Sequence, residues 1–283
     1  MRFQGKVAVV TGGATGIGRE TAIAFAREGA AVVVADVNER EAQTTLRQIT
    51  EAAPPPPAAQ LKGDARAAEL AGRGRTPATP AGVAERGGRG RFVRLDVSKA
   101  GDWSKAVDET VKTFGRLDIL FNNAGIGGDL APTGDYKEES FDRVLAVNLK
   151  GVWLGMRAVI PQMLRQQAGV IVNNASILGM VGFANAPAYV AAKHGILGLT
   201  KTAALEYAAA GIRVNAVCPG FIKTPMVQDG LTPEAMTQIA QLHALGRLGD
   251  PDEVSRVVLF LASEESSFIT GAAYLVDGGY TAR

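Results

Sequence analysis

A tyrosine and a lysine stand four residues apart in the alanine-rich stretch AYVAAKHG, residues 188–195. Alanine favours helix, and helix positions i and i+4 lie one above the other, so Tyr189 and Lys193 point the same way. A cation fixed beside a phenol favours the phenolate and draws its pKa from about 10 toward neutrality. Such a phenol can lend and recover a proton at working pH. The same spacing also arises by chance on surface helices, where the lysine stem only packs on the ring. The rest of the chain has to decide.

A second cluster lies near the start, in TGGATGIGRE. Gly12, Gly16 and Gly18 fall where a tight strand-to-helix turn brings bare backbone close to a ligand and offers free N–H groups to a phosphate. The spacing is G-x3-G-x-G, not G-x-G-x-x-G, and a P-loop is excluded because Arg19 and Glu20 stand where Lys and Ser or Thr are required. About 20 residues on, a second strand ends at Asp36, whose carboxylate suits both hydroxyls of an adenosine ribose and repels a 2′-phosphate. Val37 and Asn38 follow it and Thr15 in the glycine loop is uncharged, so NAD is favoured over NADP. Asp36 could also serve only to cap the next helix. Asp96, in RLDV, is placed to meet the adenine ring or, again, to cap.

Positioning these groups requires alternating strands and helices. KVAVVTG reads as a buried strand, GIGRETAIAFAREG as a helix ending at Gly29, AAVVVAD as a strand, and NEREAQTTLRQI as a helix with Ala42, Leu46 and Ile49 on one face. The strand RFVRLDV, the helix DWSKAVDETVKTFG and the strand LDILFNNAG follow. A long helix from about Glu139 to Gln166, the strand GVIVNNAS, the helix bearing Tyr189 and the strand IRVNAVCPG come next. Asp250 as cap, Pro251 as first helical residue and Glu253 three beyond the cap open a helix whose apolar face is Val254, Val257, Val258 and Leu261. AAYLVDGG closes the set. Seven short apolar strands separated by helices imply an α/β, doubly wound, single-domain Rossmann-like fold: a seven-stranded parallel sheet with helices on both faces.

On these motifs the chain resembles the short-chain dehydrogenase/reductase family, in its branch of roughly 250 residues. TGGATGIG, NNAG (Asn122 to Gly125), NLKG (Asn148 to Gly151), a serine thirteen residues before the tyrosine, YVAAK and PGFIKT (Pro219 to Thr224) occur in family order. The resemblance implies a nicotinamide-dependent oxidoreductase, usually a homotetramer, with Asn148, Ser176, Tyr189 and Lys193 as catalytic residues. Tyr189 would take the proton of a substrate hydroxyl while hydride goes to the nicotinamide, and Ser176 would hold the substrate oxygen. Lys193 would depress the tyrosine pKa and bond the nicotinamide ribose, and Asn148 would hold a water linking Lys193 to solvent. The implied cofactor contacts are Gly12, Thr15, Gly16, Ile17, Gly18, Asp36, Asp96, Val97, Asn123, Ala124, Gly125, Tyr189, Lys193, Pro219, Gly220, Ile222 and Thr224. Asn122 would brace the sheet.

Composition limits the alternatives. The 283 residues are 47% apolar and 20% charged, ordinary for a globular protein. No uninterrupted apolar run approaches the ~18 residues of a membrane span, and the first apolar run (Val7 to Val10) is too short for a signal peptide, so a cytoplasmic enzyme with no membrane partner is expected. Cys218, the only cysteine, sits in an apolar setting as a buried thiol. His194 and His243 have no clustered partners for a metal and no assigned work, and His243 falls in an expected mobile helix. The segment from 53 to about 91, rich in Ala, Pro, Gly and Arg, reads as a flexible insertion with a net charge of +4; it leaves the rest of the chain at −2, with no basic face for nucleic acid. Ile177 to Ala188, Gly127, Phe221 and a lid-like stretch from Pro225 to Leu248 should line an apolar substrate pocket, with Asn185 the polar exception. A neutral cyclic or aliphatic secondary alcohol, or its ketone, fits it. The rivals are an NADPH-dependent reductase of 3-oxoacyl groups on a carrier protein and a non-catalytic NAD-binding scaffold.

Overall fold

The computed structural model describes residues 1–52 and 90–282. Valine-rich runs pair as parallel strands: β1 (Val7–Thr11), β2 (Ala31–Asp36), β3 (Gly90–Arg94), β4 (Ile119–Asn122), β5 (Gly169–Asn174), β6 (Ile212–Pro219) and β7 (Ala273–Val276). Their order is β3-β2-β1-β4-β5-β6-β7, so the chain leaves the centre between β1 and β4 in both directions. That reversal opens a crevice beyond the carboxyl ends of β1 and β4, where such sheets bind ligands.

Alternation along β1 divides the core. Val7 and Val9 pack on one face with Trp103 and Phe114 of α3 (Ala100–Phe114), Val159 and Met163 of α5 (Gly151–Gln166), and Ile196 and Ala203 of α6 (Pro187–Tyr207). Ala8 and Val10 face Ala22 and Phe25 of α1 (Gly16–Arg27), Ala42 and Ile49 of α2 (Glu39–Ala52), and Val254, Val258 and Leu261 of α9 (Pro251–Ala262). Two covered faces explain why the strands read as continuous apolar runs. The reciprocal leg of the cap on α9 forms as expected, Asp250 N–H donating to Glu253 Oε2 at 2.8 Å.

Some elements differ from expectation. The third strand, expected over 91–97, runs Gly90–Arg94, so residue 90 also belongs to the sheet rather than to the insertion; the remainder of that segment, 53–89, lies outside the described residues. The helix expected from Glu139 is α4 (Glu138–Leu145) joined to α5 through one π-helical turn, Ala146–Lys150, in which Gly151 N–H reaches back to Ala146 O. The lid-like stretch forms α7 (Pro225–Gly230) and α8 (Pro233–Leu242). By length and apolar content Glu138–Gln166 could cross a bilayer, yet half of its most apolar window is buried inside the fold.

Candidate active site

The glycine turn is set by contact distance. A Cβ on Gly12 would fall 2.9 Å from Ala124 Cα, and one on Gly18 would overlap the Gly12 carbonyl, so β1, α1 and the β4 exit close up only on glycine. Thr15, the residue before α1, caps no N–H with its side chain, and the first turn carries no acidic residue. Those uncapped N–H groups at a helix N-terminus suit a phosphate.

Asparagines fasten this turn to the middle of the sheet. Asn123 Nδ2 donates to Thr11 O at 2.9 Å and to Gly12 O at 3.2 Å, and its Oδ1 accepts from Asn174 Nδ2 at 2.9 Å. The main-chain carbonyl of Asn174 accepts from Lys193 Nζ at 2.6 Å. Hydrogen bonds therefore run from the glycine turn to the lysine across the ends of β1, β4 and β5. Asn122 points to the opposite face, where its Nδ2 donates to Asn173 Oδ1 at 2.9 Å and braces β4 against β5.

Ser176 leaves β5 in an extended conformation and its Oγ accepts from Leu178 N–H at 3.1 Å. Tyr189 and Lys193 share one face of α6, with the Lys193 Nζ 5.4 Å from the Tyr189 ring centre. Burial pushes the phenol up to about 12, against a downward pull from Ser176, and pushes the lysine ammonium down to about 8. Desolvation thus outweighs the depression of the phenol that the sequence led us to expect. Lys193 still carries its proton at neutral pH.

Asn148 lies within the π turn and is fully buried. Its Oδ1 accepts from Ile126 N–H and its Nδ2 donates to Ile126 O, both at 2.8 Å. The side chain pins the loop that leaves Gly125 to the helix; it does not project into the cleft.

These groups border one cleft of about 510 Å³, a volume ordinary for a cofactor site. Gly12, Thr15, Gly16, Ile17, Asp36, Asp96, Val97, Asn123, Ala124, Gly125, Ser176, Tyr189, Lys193, Pro219, Gly220, Ile222 and Thr224 all line it; Gly18 and Asn148 stand behind its wall. A dinucleotide fits this donor set. Asp36 accepts from Ala14 N–H at 3.0 Å and Asn38 N–H at 2.9 Å, one bond per oxygen, which leaves each oxygen a further lone pair for a ribose hydroxyl. Arg19 is tied to Glu41 at 2.7 Å, and Arg94 donates to Val37 O at 3.1 Å. Asp96 is engaged by Ser98 and Lys99. Ile222 buries its side chain in the core.

Several lining residues escaped sequence reading: Val37, Leu95, Ile126, Val147, Asn174 and Ala175; Pro225, Met226 and Val227, at the start of the expected lid-like stretch, do line the cleft. Asn174 carried the clearest signal, a polar residue two before the serine at a strand's carboxyl end. Conversely, Ile177 and Leu178, expected to line the pocket, are buried in the protein interior. Phe183 does meet Phe221, ring centres 5.7 Å apart. Cys218 is fully buried, and burial pushes its thiol up to about 11. His194 is exposed and bonds only the Val190 carbonyl of its own helix. His243, expected on a mobile helix, is buried just beyond α8.

Residues 6–71 match the family described as short chain dehydrogenase, and residues 71–281 that described as enoyl-(acyl carrier protein) reductase. Cyclohexanol dehydrogenase of Acinetobacter sp. (strain SE19) is 41% identical, with 100% of this chain and 97% of the relative covered. The 3-oxoacyl-(acyl-carrier-protein) reductase FabG of Thermotoga maritima is 38% identical, with 99% of each covered. The crystal structure of levodione reductase superposes with a TM-score of 0.85 and 34% identity, 99% of each chain being covered.

Proposed function

The chain belongs to the short-chain dehydrogenase/reductase family, oxidoreductases that use NAD or NADP, and from that premise we propose that it interconverts a neutral cyclic secondary alcohol and its ketone with NAD. One observation carries the reading: Ser176, Tyr189 and Lys193 converge on the wall of a cleft that begins at a glycine turn and has the Asp36 carboxylate along its rim.

A bound nicotinamide dinucleotide supplies the hydride acceptor or donor. The N–H groups opening α1 would hold its phosphates, Asp36 its adenosine ribose, and the backbone of Ile222 with the Thr224 hydroxyl its carboxamide. Ser176 Oγ–H bonds the substrate oxygen and steadies the charge that gathers there. Tyr189 Oη exchanges the proton with that oxygen. Lys193 keeps a positive charge near the phenol and would bond the nicotinamide ribose, and Asn148 fixes the neighbouring Ile126 segment.

A phenol pushed up to about 12 holds its proton at neutral pH and so favours ketone reduction there. Alcohol oxidation, which needs the phenolate, gains as pH rises. For the substrate, the cyclohexanol dehydrogenase relative supports a cyclic, uncharged ring. Among the described residues lining the cleft Lys193 is the only cation, which weighs against an acidic carrier protein and against the 2′-phosphate of NADP.

The test is absorbance of the reduced nicotinamide with cyclic and linear secondary alcohols, the matching ketones and a 3-oxoacyl thioester, each with both dinucleotides across pH 6–10. Cyclic alcohols or ketones with NAD or NADH should give the highest kcat/KM, the oxidation rate climbing with pH. A preference for the thioester with NADPH would replace this reading with the carrier-protein one.

A further inference from the structure

His243 makes no contact with the cleft, yet the wall of that cleft rests on it. The ring is 3% exposed. Its Nε2 accepts from Phe221 N–H at 3.2 Å, and its Nδ1 lies 2.9 Å from Ile239 O. An imidazole nitrogen that accepts an amide hydrogen carries no proton, so the other nitrogen bears it, and Nδ1–H donates to Ile239 O. Both nitrogens of the neutral ring are thereby satisfied. The loop backbone lies directly on the ring: a Cβ on Gly220 would come 2.8 Å from Nε2. Phe221 and Tyr280 pack edge-on around it, ring centres 6.1 Å and 5.2 Å away.

Gly220, Phe221 and Ile222 thus separate two spaces. On one side Gly220 and Ile222 line the cleft with Pro219 and Thr224; on the other they border a cavity of about 260 Å³ containing His243. His243 also joins that loop to the carbonyl end of α8.

We infer that His243 is a positioning residue, a neutral-imidazole latch that holds the Pro219–Thr224 wall in its dinucleotide-binding shape and releases it on protonation. A second ring proton would set Nε2–H against Phe221 N–H, two donors facing each other in a buried site, and the loop would have to move away. The charged and titratable groups around the ring are Asp277 at the end of β7, Arg247 between α8 and α9, Glu253 of α9, and Tyr280 beyond β7. The Asp277 carboxylate accepts from Gly279 N–H, Thr281 N–H and Thr281 Oγ–H, and Arg247 is paired with Glu253 at 2.7 Å. Asp277 is the neighbour that would share in stabilising an imidazolium, while Arg247 opposes it.

This inference rests on the loop contacting the dinucleotide, so its test has an arm that does not. Exchange protection of the Phe221 amide in the protein alone is compared at pH 8 and pH 5.5, together with the Kd for NAD, in the wild type, His243→Gln and His243→Ala. Glutamine keeps an acceptor near the Nε2 position and takes up no proton. In the wild type, Phe221 protection should be lost and the Kd rise toward pH 5.5. His243→Gln should hold both nearly constant, which cancels contributions from every other titrating group. His243→Ala should show low protection at both pH values. Equal protection in all three proteins, or a pH dependence that survives in His243→Gln, overturns the latch. If NAD fails to bind the wild type at pH 8, the functional reading falls while the exchange arm still decides the latch.

Discussion

At the scale of single residues, the Lys193 ammonium is a charge kept out of water, 4% exposed and bonded to the Asn174 carbonyl. Burial that lowers its pKa from 10.5 to about 8 corresponds to a cost on the order of 3 kcal/mol at neutral pH. Lys193→Met removes that cost but leaves the Asn174 carbonyl without its donor, a loss of about 1–3 kcal/mol. We expect the variant to be inactive yet about 1 kcal/mol more stable at pH 7, seen as a higher denaturant midpoint. Between pH 8 and 10 the folded wild type gives up the lysine proton while the unfolded chain keeps it, so wild-type stability rises and the gap narrows. A gap that does not change with pH would contradict this assignment of the cost. The pairing of Tyr189 and Lys193 was legible because it needs only residue type and helical spacing. The direction of the phenol shift was not, because desolvation depends on neighbours distant in sequence.

Among the elements, the close approach of β1, α1 and β4 was visible as three glycines, whose common property is what they lack. Gly18→Ala should cost at least about 2 kcal/mol and weaken NAD binding at least about tenfold, since the new methyl must displace the Gly12 carbonyl. Gly101→Ala, where an added Cβ on α3 meets nothing within 4 Å, is the control and should be neutral or stabilising by about 0.5–1 kcal/mol. Similar unfolding midpoints and NAD affinities for the two variants would contradict the contact argument. The π turn was not legible: AVNLK contains neither glycine nor proline, and its register is fixed by the bonds from Asn148 to Ile126, 22 positions away. His243 escaped for the same reason, since its partners come from α8 and from the loop beyond β6.

For the whole molecule, strand and helix order followed from the alternation of apolar runs, and the crevice from the reversal at β1. Ala52 and Gly90, which bound the segment outside the described residues, lie at the amino-terminal edge of the sheet, away from the cleft. A shallow apolar hollow of about 640 Å³ lies where α4 and α5 meet α6, with Leu145, Leu149, Leu199 and the 42%-exposed Trp153 around Gly195 and Gly198. Exposed apolar surface of this kind suits a twin subunit, and with the homotetramer usual in the family we propose that assembly for this chain. Light scattering should give four chain masses for the wild type and a smaller assembly for Trp153→Glu. A wild-type monomer at micromolar concentration would contradict it.

The most direct test of the central claim is the turnover of a cyclic secondary alcohol by wild type and Tyr189→Phe, with NAD binding measured on both. Loss of the phenolic oxygen should lower kcat by about 10²–10⁴-fold while the Kd for NAD stays within about threefold. A Tyr189→Phe protein that binds NAD and turns over at the wild-type rate would show that this phenol does not carry the proton.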